Sequence, residues 1–334
     1  MTMKTLRGVN LGGWLVLERW MTPGLFAETD AVDEYTFMQT PDARAKLRKH
    51  QKTFIVEDDF RWLHEHDIDA VRIPVGYWLF DGDAPYVSCI GRLDWAVRMA
   101  KKYGIKVLIC LQGAPGSQNG YDHSGRVGAP RWQDEESYRI QTVEVLRRLA
   151  EHYKGESAVW GIELLNEPTA KLWQPQLRAF YHKAYEAVRN VGRQGLVVVF
   201  SDAFTPRLMS GVLWAFQKFP VYMDHHWYHF FIPTWLQSRL SLDWYYRYLT
   251  WKSRTLQRLS RDQPIIIGEW NGIVGGEKLN TYPQQEHEAI VDEHIRRQLI
   301  AYEGVAAWFY WSYKHEQGGV FDFRDMVEHD RLQM

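Results

Sequence analysis

The chain has 334 residues, 46% of them apolar, which suits one α/β barrel as well as two smaller domains. Lys and Arg number 40 against 41 Asp and Glu, a formal charge of −1 with no basic stripe, which excludes nucleic acid and an anionic membrane surface as partners. The two cysteines, Cys89 and Cys110, exclude a disulfide framework and the Cys/His spacing of a zinc site.

Taken in chain order, strand-like runs fall at Leu6–Asn10, Ala70–Val75, Ile105–Gln112, Val159–Asn166, Leu196–Ser201, Val221–His226, Pro264–Glu269 and Val305–Trp311. Several are unbroken Val/Ile/Leu stretches, as parallel strands covered on both faces require. Helical periodicity falls between them, at 54–66, 92–103, 134–153, 174–191, 207–219, 238–260 and 284–302. In 92–103, Leu93, Ala96, Val97 and Ala100 form one seam, with Arg92, Arg98, Lys101 and Lys102 away from it. Gly104 stops that helix before Ile105 opens the next strand. A last helix after Trp311 has room only to be short. Eight such units predict an α/β fold of one domain, residues 1–334, closed as a (β/α)₈ TIM barrel. A doubly wound sheet would bring a G-x-G-x-x-G turn after its first strand, whereas Leu11-Gly12-Gly13-Trp14-Leu15 stands there.

Barrel sites lie at the C-terminal strand ends. Those ends read Asn10, Arg72, Gln112, Asn166–Glu167, Ser201–Asp202, His226–Tyr228, Glu269 and Trp311, polar or functional at nearly every position. Two of the runs, Leu164-Leu165-Asn166-Glu167-Pro168 and Ile266-Ile267-Gly268-Glu269-Trp270, carry an apolar strand into a glutamate. A carboxylate pair at a barrel mouth points to acid–base or nucleophilic chemistry on a sugar. The 16 Trp, 18 Tyr and 15 Phe, 15% of the chain, agree with stacking on flat sugar faces.

Asn166-Glu167-Pro168, Gly268-Glu269-Trp270 and Val71-Arg72-Ile73-Pro74 resemble glycoside hydrolase family 5. The opening Gly8-Val9-Asn10-Leu11-Gly12-Gly13-Trp14-Leu15-Val16-Leu17-Glu18 and the run Gly113-Ala114-Pro115-Gly116-Ser117-Gln118-Asn119-Gly120-Tyr121-Asp122 resemble its exo-β-1,3-glucanase branch more narrowly, and the likeness extends from about residue 7 to Lys314. The resemblance implies a retaining hydrolase of β-glucosides or β-glucan oligosaccharides that needs no cofactor and no metal, with Glu167 as general acid/base and Glu269 as nucleophile. It implies that Asn166 contacts the sugar 2-hydroxyl, that His226 and Tyr228 stand beside Glu167 and Glu269 respectively, and that Trp311 is the platform under the sugar. Glu18 and Asp122 become the pocket carboxylates that close the non-reducing end, and Tyr121 and Phe231 an aromatic clamp at the entrance.

The electrostatics expected of such a site can be stated without the family. Arg72, if it reaches Glu269, keeps that group ionised, and Glu167, facing a second negative charge in a desolvated cleft, is expected to be protonated in the free enzyme. Three departures from the family pattern bear on the substrate. Gln112 replaces a histidine after the third strand and cannot carry charge, Arg19 replaces a proline after Glu18, and Tyr313 replaces a tryptophan. A β-1,6-glucan, a steryl glucoside or a β-mannoside is therefore an alternative substrate. A non-catalytic glycan-binding barrel is a further alternative, opposed by the presence of both glutamates. A metal-dependent hydrolase would draw on His225, His226 and His229, but the first strand ends in Asn10-Leu11-Gly12 rather than His-x-His, and His64 and His66 fall late in a helix. Met1–Gly8 has no apolar leader and no stretch runs to roughly 18 apolar residues, so the expected location is the cytoplasm, with secretion the alternative if a leader was removed. The sequence leaves the oligomeric state open.

Overall fold

The computed structural model describes residues 4–169, 175–213, 220–228 and 234–333. Eight parallel strands close in sequence order: β1 (Leu6–Asn10), β2 (Ala70–Gly76), β3 (Lys106–Gly113), β4 (Val159–Glu163), β5 (Val197–Ser201), β6 (Val221–Trp227), β7 (Ile265–Trp270) and β8 (Ala307–Tyr310), with β8 pairing back to β1. The predicted (β/α)₈ barrel is therefore the fold. Most of its principal helices fall where periodicity placed them, at Glu57–Glu65, Ile90–Lys102, Glu136–His152, Pro175–Val191, Leu242–Asp262 and His287–Ala301. The short closing helix is Phe323–Glu328.

The differences have local causes. The helix expected at 54–66 starts at Glu57, where the Asp59 carboxylate accepts the Val56 N–H at 2.8 Å. A helix at Ala43–Thr53 had no sequence prediction, because it buries only a narrow stripe, Ala43, Leu47 and Gln51, on an otherwise charged segment. At 207–219 the helix runs only from Pro206 to Met209, and 214–219 lie outside the described residues. β4 ends at Glu163 rather than Asn166. Beyond it the chain turns across the barrel mouth, with Leu164 N–H bonded to the Val199 carbonyl and Asn166 N–H to that of Leu111, both at 2.9 Å.

Strand alternation divides the barrel into an outer and an inner core. Outward residues such as Val71, Ile73, Ile109, Ile162, Val198 and Ile267 join one large cluster under the helices. The inward cluster is separate: Ala70, Leu108, Val197, Val199, Ile266, Ala307 and Phe309 plug the lower barrel. Two residues further along the same strands the inward positions become Arg72, Cys110, Glu163, Ser201 and Asp224, all buried. A polar layer thus rests on an apolar floor.

Candidate active site

Arg72 is the centre of that layer. Its five N–H groups all meet oxygen acceptors: Nε and Nη2 grip Glu163 at 2.7 and 3.0 Å, Nη1 reaches Asn10 Oδ1 at 2.8 Å and Glu269 Oε1 at 3.0 Å, and Nη2 reaches Asn166 Oδ1 at 2.7 Å. A buried guanidinium is tolerable only when so completely paired. Its forked geometry fixes Glu269 from one side and the amide of Asn166 from the other. Tyr228 donates to the second oxygen of Glu269 at 2.8 Å.

Glu269 owes its direction to an irregularity. Strict alternation from Ile266 and Gly268 would turn it outward, but the register shifts between Asp224 and His226 on the β6 side and between Ile267 and Trp270 on the β8 side. Such shifts re-aim a side chain. Gly268 is required beside it, since a Cβ there would sit 2.1 Å from the Asp224 carboxylate. That carboxylate instead accepts the Gly268 N–H at 2.6 Å and faces His226 Nε2 at 3.1 Å.

Glu167 is held by its backbone as well as by its side chain. Its φ is +39°, a left-handed conformation that costs energy for a side-chain-bearing residue. The Gln118-Asn119 pair of the β3 loop keeps it there: Gln118 Nε2 donates to the Asn166 carbonyl at 2.9 Å and Asn119 Nδ2 to the Glu167 carbonyl at 3.0 Å. The two sequence motifs are therefore one structural unit. The Glu167 carboxylate then meets His226 Nδ1 at 2.6 Å, and the same nitrogen is 3.5 Å from Glu269. One oxygen of Glu167, one of Glu269 and a ring nitrogen of His226 all lie within 4.8 Å of one another.

This arrangement corrects the expectation that Glu167 is protonated in the free enzyme. Burial pushes Glu167 upward, but the neighbouring His226 imidazolium outweighs it, and the carboxyl is held below its ordinary value. Burial pulls His226 downward, yet Glu269, Asp224 and Glu167 around it hold its proton well above the usual histidine range. The proton of the His226–Glu167 pair thus rests on the imidazole. Deeper in, burial raises Glu163 to about 7 against the opposing pull of Arg72.

A pocket of about 280 Å³ opens over the carboxylates, lined by Glu18, Gln112, Asp122, Trp311 and the two glutamates, among others. Burial raises both Glu18 and Asp122, Glu18 strongly. Glu18 accepts from Trp20 Nε1 at 3.1 Å. Trp311 forms part of the wall, its ring so near Gly12 that a Cβ there would approach to 2.9 Å. Gln112 sits buried at the end of β3, with its Nε2 3.5 Å from His123 Nδ1. Tyr121, 63% exposed, stands instead at a second cleft of about 670 Å³, lined also by Glu167, His123, Pro168 and Phe204. Phe231 lies outside the described residues.

Sequence reasoning missed Glu163, Asp224 and His123, and did not give Asn10 a role. The signal for Asp224 was its parity with His226 two residues on, and for Glu163 its place inside an otherwise apolar strand, where a charge needs a buried partner.

Among the described residues two triads come close enough to chelate a cation, Glu163–Asp224–His226 and Glu167–His226–Glu269, each within 4.8 Å. Each contains a carboxylate already bonded to Arg72, Glu163 at 2.7 Å and Glu269 at 3.0 Å, so a metal would have to share the cavity with a guanidinium. Of the other histidines considered as ligands, His225 pairs with Asp202 and His66 stacks on Trp62, while His229 lies outside the described residues.

With this geometry in place, comparison with known proteins identifies the class. The family described as cellulase (glycosyl hydrolase family 5) matches residues 46–317, and the chain belongs to that family. It is a glycoside hydrolase of the branch whose curated members are glucan 1,3-β-glucosidases. It is 36% identical over 366 residues to a probable glucan 1,3-β-glucosidase A of Aspergillus fumigatus, covering 96% of this chain and 86% of the relative. It is 34% identical over 378 residues to a glucan 1,3-β-glucosidase of Schwanniomyces occidentalis, with the same coverage. Among solved structures, a rutinosidase from Aspergillus niger superposes with a TM-score of 0.80 at 20% identity, covering 98% of this chain and 97% of that one. An endoglucanase from Thermotoga maritima gives 0.62 at 16%, covering 97% and 96%. Likenesses at these identities concern the fold.

Proposed function

We propose that the chain hydrolyses β-glucosidic bonds from the non-reducing end, with β-1,3-glucan oligosaccharides or related β-glucosides as substrates and net retention at the anomeric carbon. The observation that carries this reading is the separation of the Glu167 and Glu269 oxygens, within 4.8 Å. Retaining enzymes place their carboxyls about 5–5.5 Å apart, whereas inverting ones leave about 6.5–9.5 Å for a water.

In the proposed first step a Glu269 oxygen forms a bond to the anomeric carbon while the glycosidic C–O bond breaks. The departing oxygen takes a proton from Glu167. Arg72 and Tyr228, one on each Glu269 oxygen, hold the nucleophile in its direction. Substrate filling the pocket expels water, which strengthens the burial already pushing Glu167 upward and moves the shared proton from His226 Nδ1 to Glu167. Once the ester forms, the charge of Glu269 is gone. Glu167 then takes a proton from water, whose oxygen attacks the anomeric carbon and releases Glu269. Asn166, oriented by Arg72 through its Oδ1, keeps its Nδ2 as the donor assigned to the sugar 2-hydroxyl.

Size supports the exo mode. A pocket of about 280 Å³ lies just below the usual range of ligand sites, about 300–1,000 Å³, and suits one pyranose, which Glu18 and Asp122 would hold by its hydroxyls. NMR of the anomeric proton during hydrolysis of a β-1,3-gluco-oligosaccharide tests both points. Glucose released singly as the β-anomer supports the reading. The α-anomer as first product, or oligosaccharides cut internally, contradicts it.

A further inference from the structure

The boundary between the 280 Å³ pocket and the 670 Å³ cleft carries an imidazole that belongs to neither strand-end motif. His123, in the single turn Asp122–Ser124, lines both cavities, as Glu167 does. Its ring stacks on Tyr121 at 5.6 Å and 14°. Its Nε2 lies 3.5 Å from Glu167 Oε2, the oxygen that His226 leaves free.

The tautomer follows from the neighbours. Asn166 Oδ1 is taken by Arg72, so Asn166 presents its Nδ2 to His123 Nδ1, at 3.3 Å, with Gln112 Nε2 a further 3.5 Å contact on the same atom. Nδ1 faces only N–H groups and so accepts, whereas Nε2 faces the Glu167 carboxylate, which can only accept, beside an Asn119 amide already donating to the Glu167 carbonyl; this leaves the proton on Nε2. Asn119 Nδ2, tied to the Glu167 carbonyl, also flanks Nε2 at 3.4 Å and confines the ring edge.

We propose that His123 is a second positioning residue for the acid/base: its Nε2–H orients Oε2 of Glu167 toward the glycosidic oxygen, at a wall where β3 offers only the uncharged amide of Gln112. The inference rests on the assignment of Glu167 as acid/base. His226 then holds one carboxylate oxygen and His123 the other, so the group that must deliver and recover a proton is fixed in the plane of the leaving group.

The test compares His123→Asn, His123→Gln and Glu167→Ala on aryl β-glucosides with good and poor leaving groups, together with pH–rate profiles. Dinitrophenyl glucoside needs little protonation, and phenyl glucoside needs much. His123→Asn is expected to lose about 10-fold more kcat/KM on the phenyl than on the dinitrophenyl substrate, a fraction of what a full general acid supplies. Its Glu167 limb should move to higher pH, and His123→Gln, whose amide N–H reaches one methylene further toward the position of Nε2 than that of Asn, should recover part of the loss. Equal losses on both substrates with an unmoved limb overturn the positioning role, whichever variant shows them. If Glu167→Ala itself shows no dependence on the leaving group, the acid/base assignment falls and takes this inference with it. A graded Glu167→Ala beside a flat His123→Asn removes only His123.

Discussion

The lower and upper halves of the barrel interior are built from the same strands two residues apart, yet they obey opposite rules. Below, Ala70, Leu108, Val199 and Ile266 pack an apolar floor. Above, Arg72, Cys110, Glu163 and Asp224 occupy equally buried positions and survive there only because each charge is matched. Apolar burial gains about 25 cal/mol per Å² and tolerates small errors of shape. Buried charge tolerates almost none, because an unmatched ion costs several kcal/mol. The floor therefore keeps the barrel closed, and the layer above it converts that rigidity into fixed carboxylate geometry.

The contrast can be broken from either side. The largest effect is expected from Glu269→Gln, which removes the attacking oxygen's charge and should lower kcat by about 10⁴-fold or more with little change in glucoside binding; steady-state rates and calorimetric titration together check it. Arg72→Met comes next. It strands Glu163 and Glu269 without their cation and should cost about 3–5 kcal/mol in denaturant unfolding as well as activity. Glu163 supplies a pH signature. Its carboxyl is raised from 4.5 to about 7, so it binds its proton more tightly folded than unfolded. Its contribution to stability is then complete below about pH 4.5 and is lost as pH rises through about 7. Melting temperature should fall across that window in the native chain and fall less in Glu163→Gln. The smallest effect belongs to the floor: Ile266→Val should cost about 0.5–1.5 kcal/mol and leave kcat unchanged. A floor substitution that altered the pH profile would mean the two halves are not separable.

Much of this was legible in the chain because strand ends and catalytic positions coincide in a barrel. Arg72, Glu167, His226, Tyr228 and Glu269 all meet in one cluster, although they come from four different strands and loops. Glu163 and Asp224 were hidden because they lie inside strands read as apolar runs, where only parity with the floor residues reveals an inward charge. The state of Glu167 was misjudged for a related reason. The like charge of Glu269 was foreseen, but the imidazole of His226 lies between the two carboxylates, and its Nε2 is anchored by the unforeseen Asp224. Positive φ at Glu167 and the register shifts that turn Glu269 inward are backbone events that local propensity does not encode. The helix Ala43–Thr53 escaped because it buries so little.

The most direct test of the account is to trap its covalent intermediate. Incubation with dinitrophenyl 2-deoxy-2-fluoro-β-glucoside, followed by proteolysis and mass spectrometry, should find one fluoroglucosyl unit on the peptide containing Glu269, with none on that of Glu167. Labelling at Glu167, or steady turnover of the fluoroglucoside by a pathway that never esterifies Glu269, would contradict the assignment of nucleophile and acid on which the rest depends.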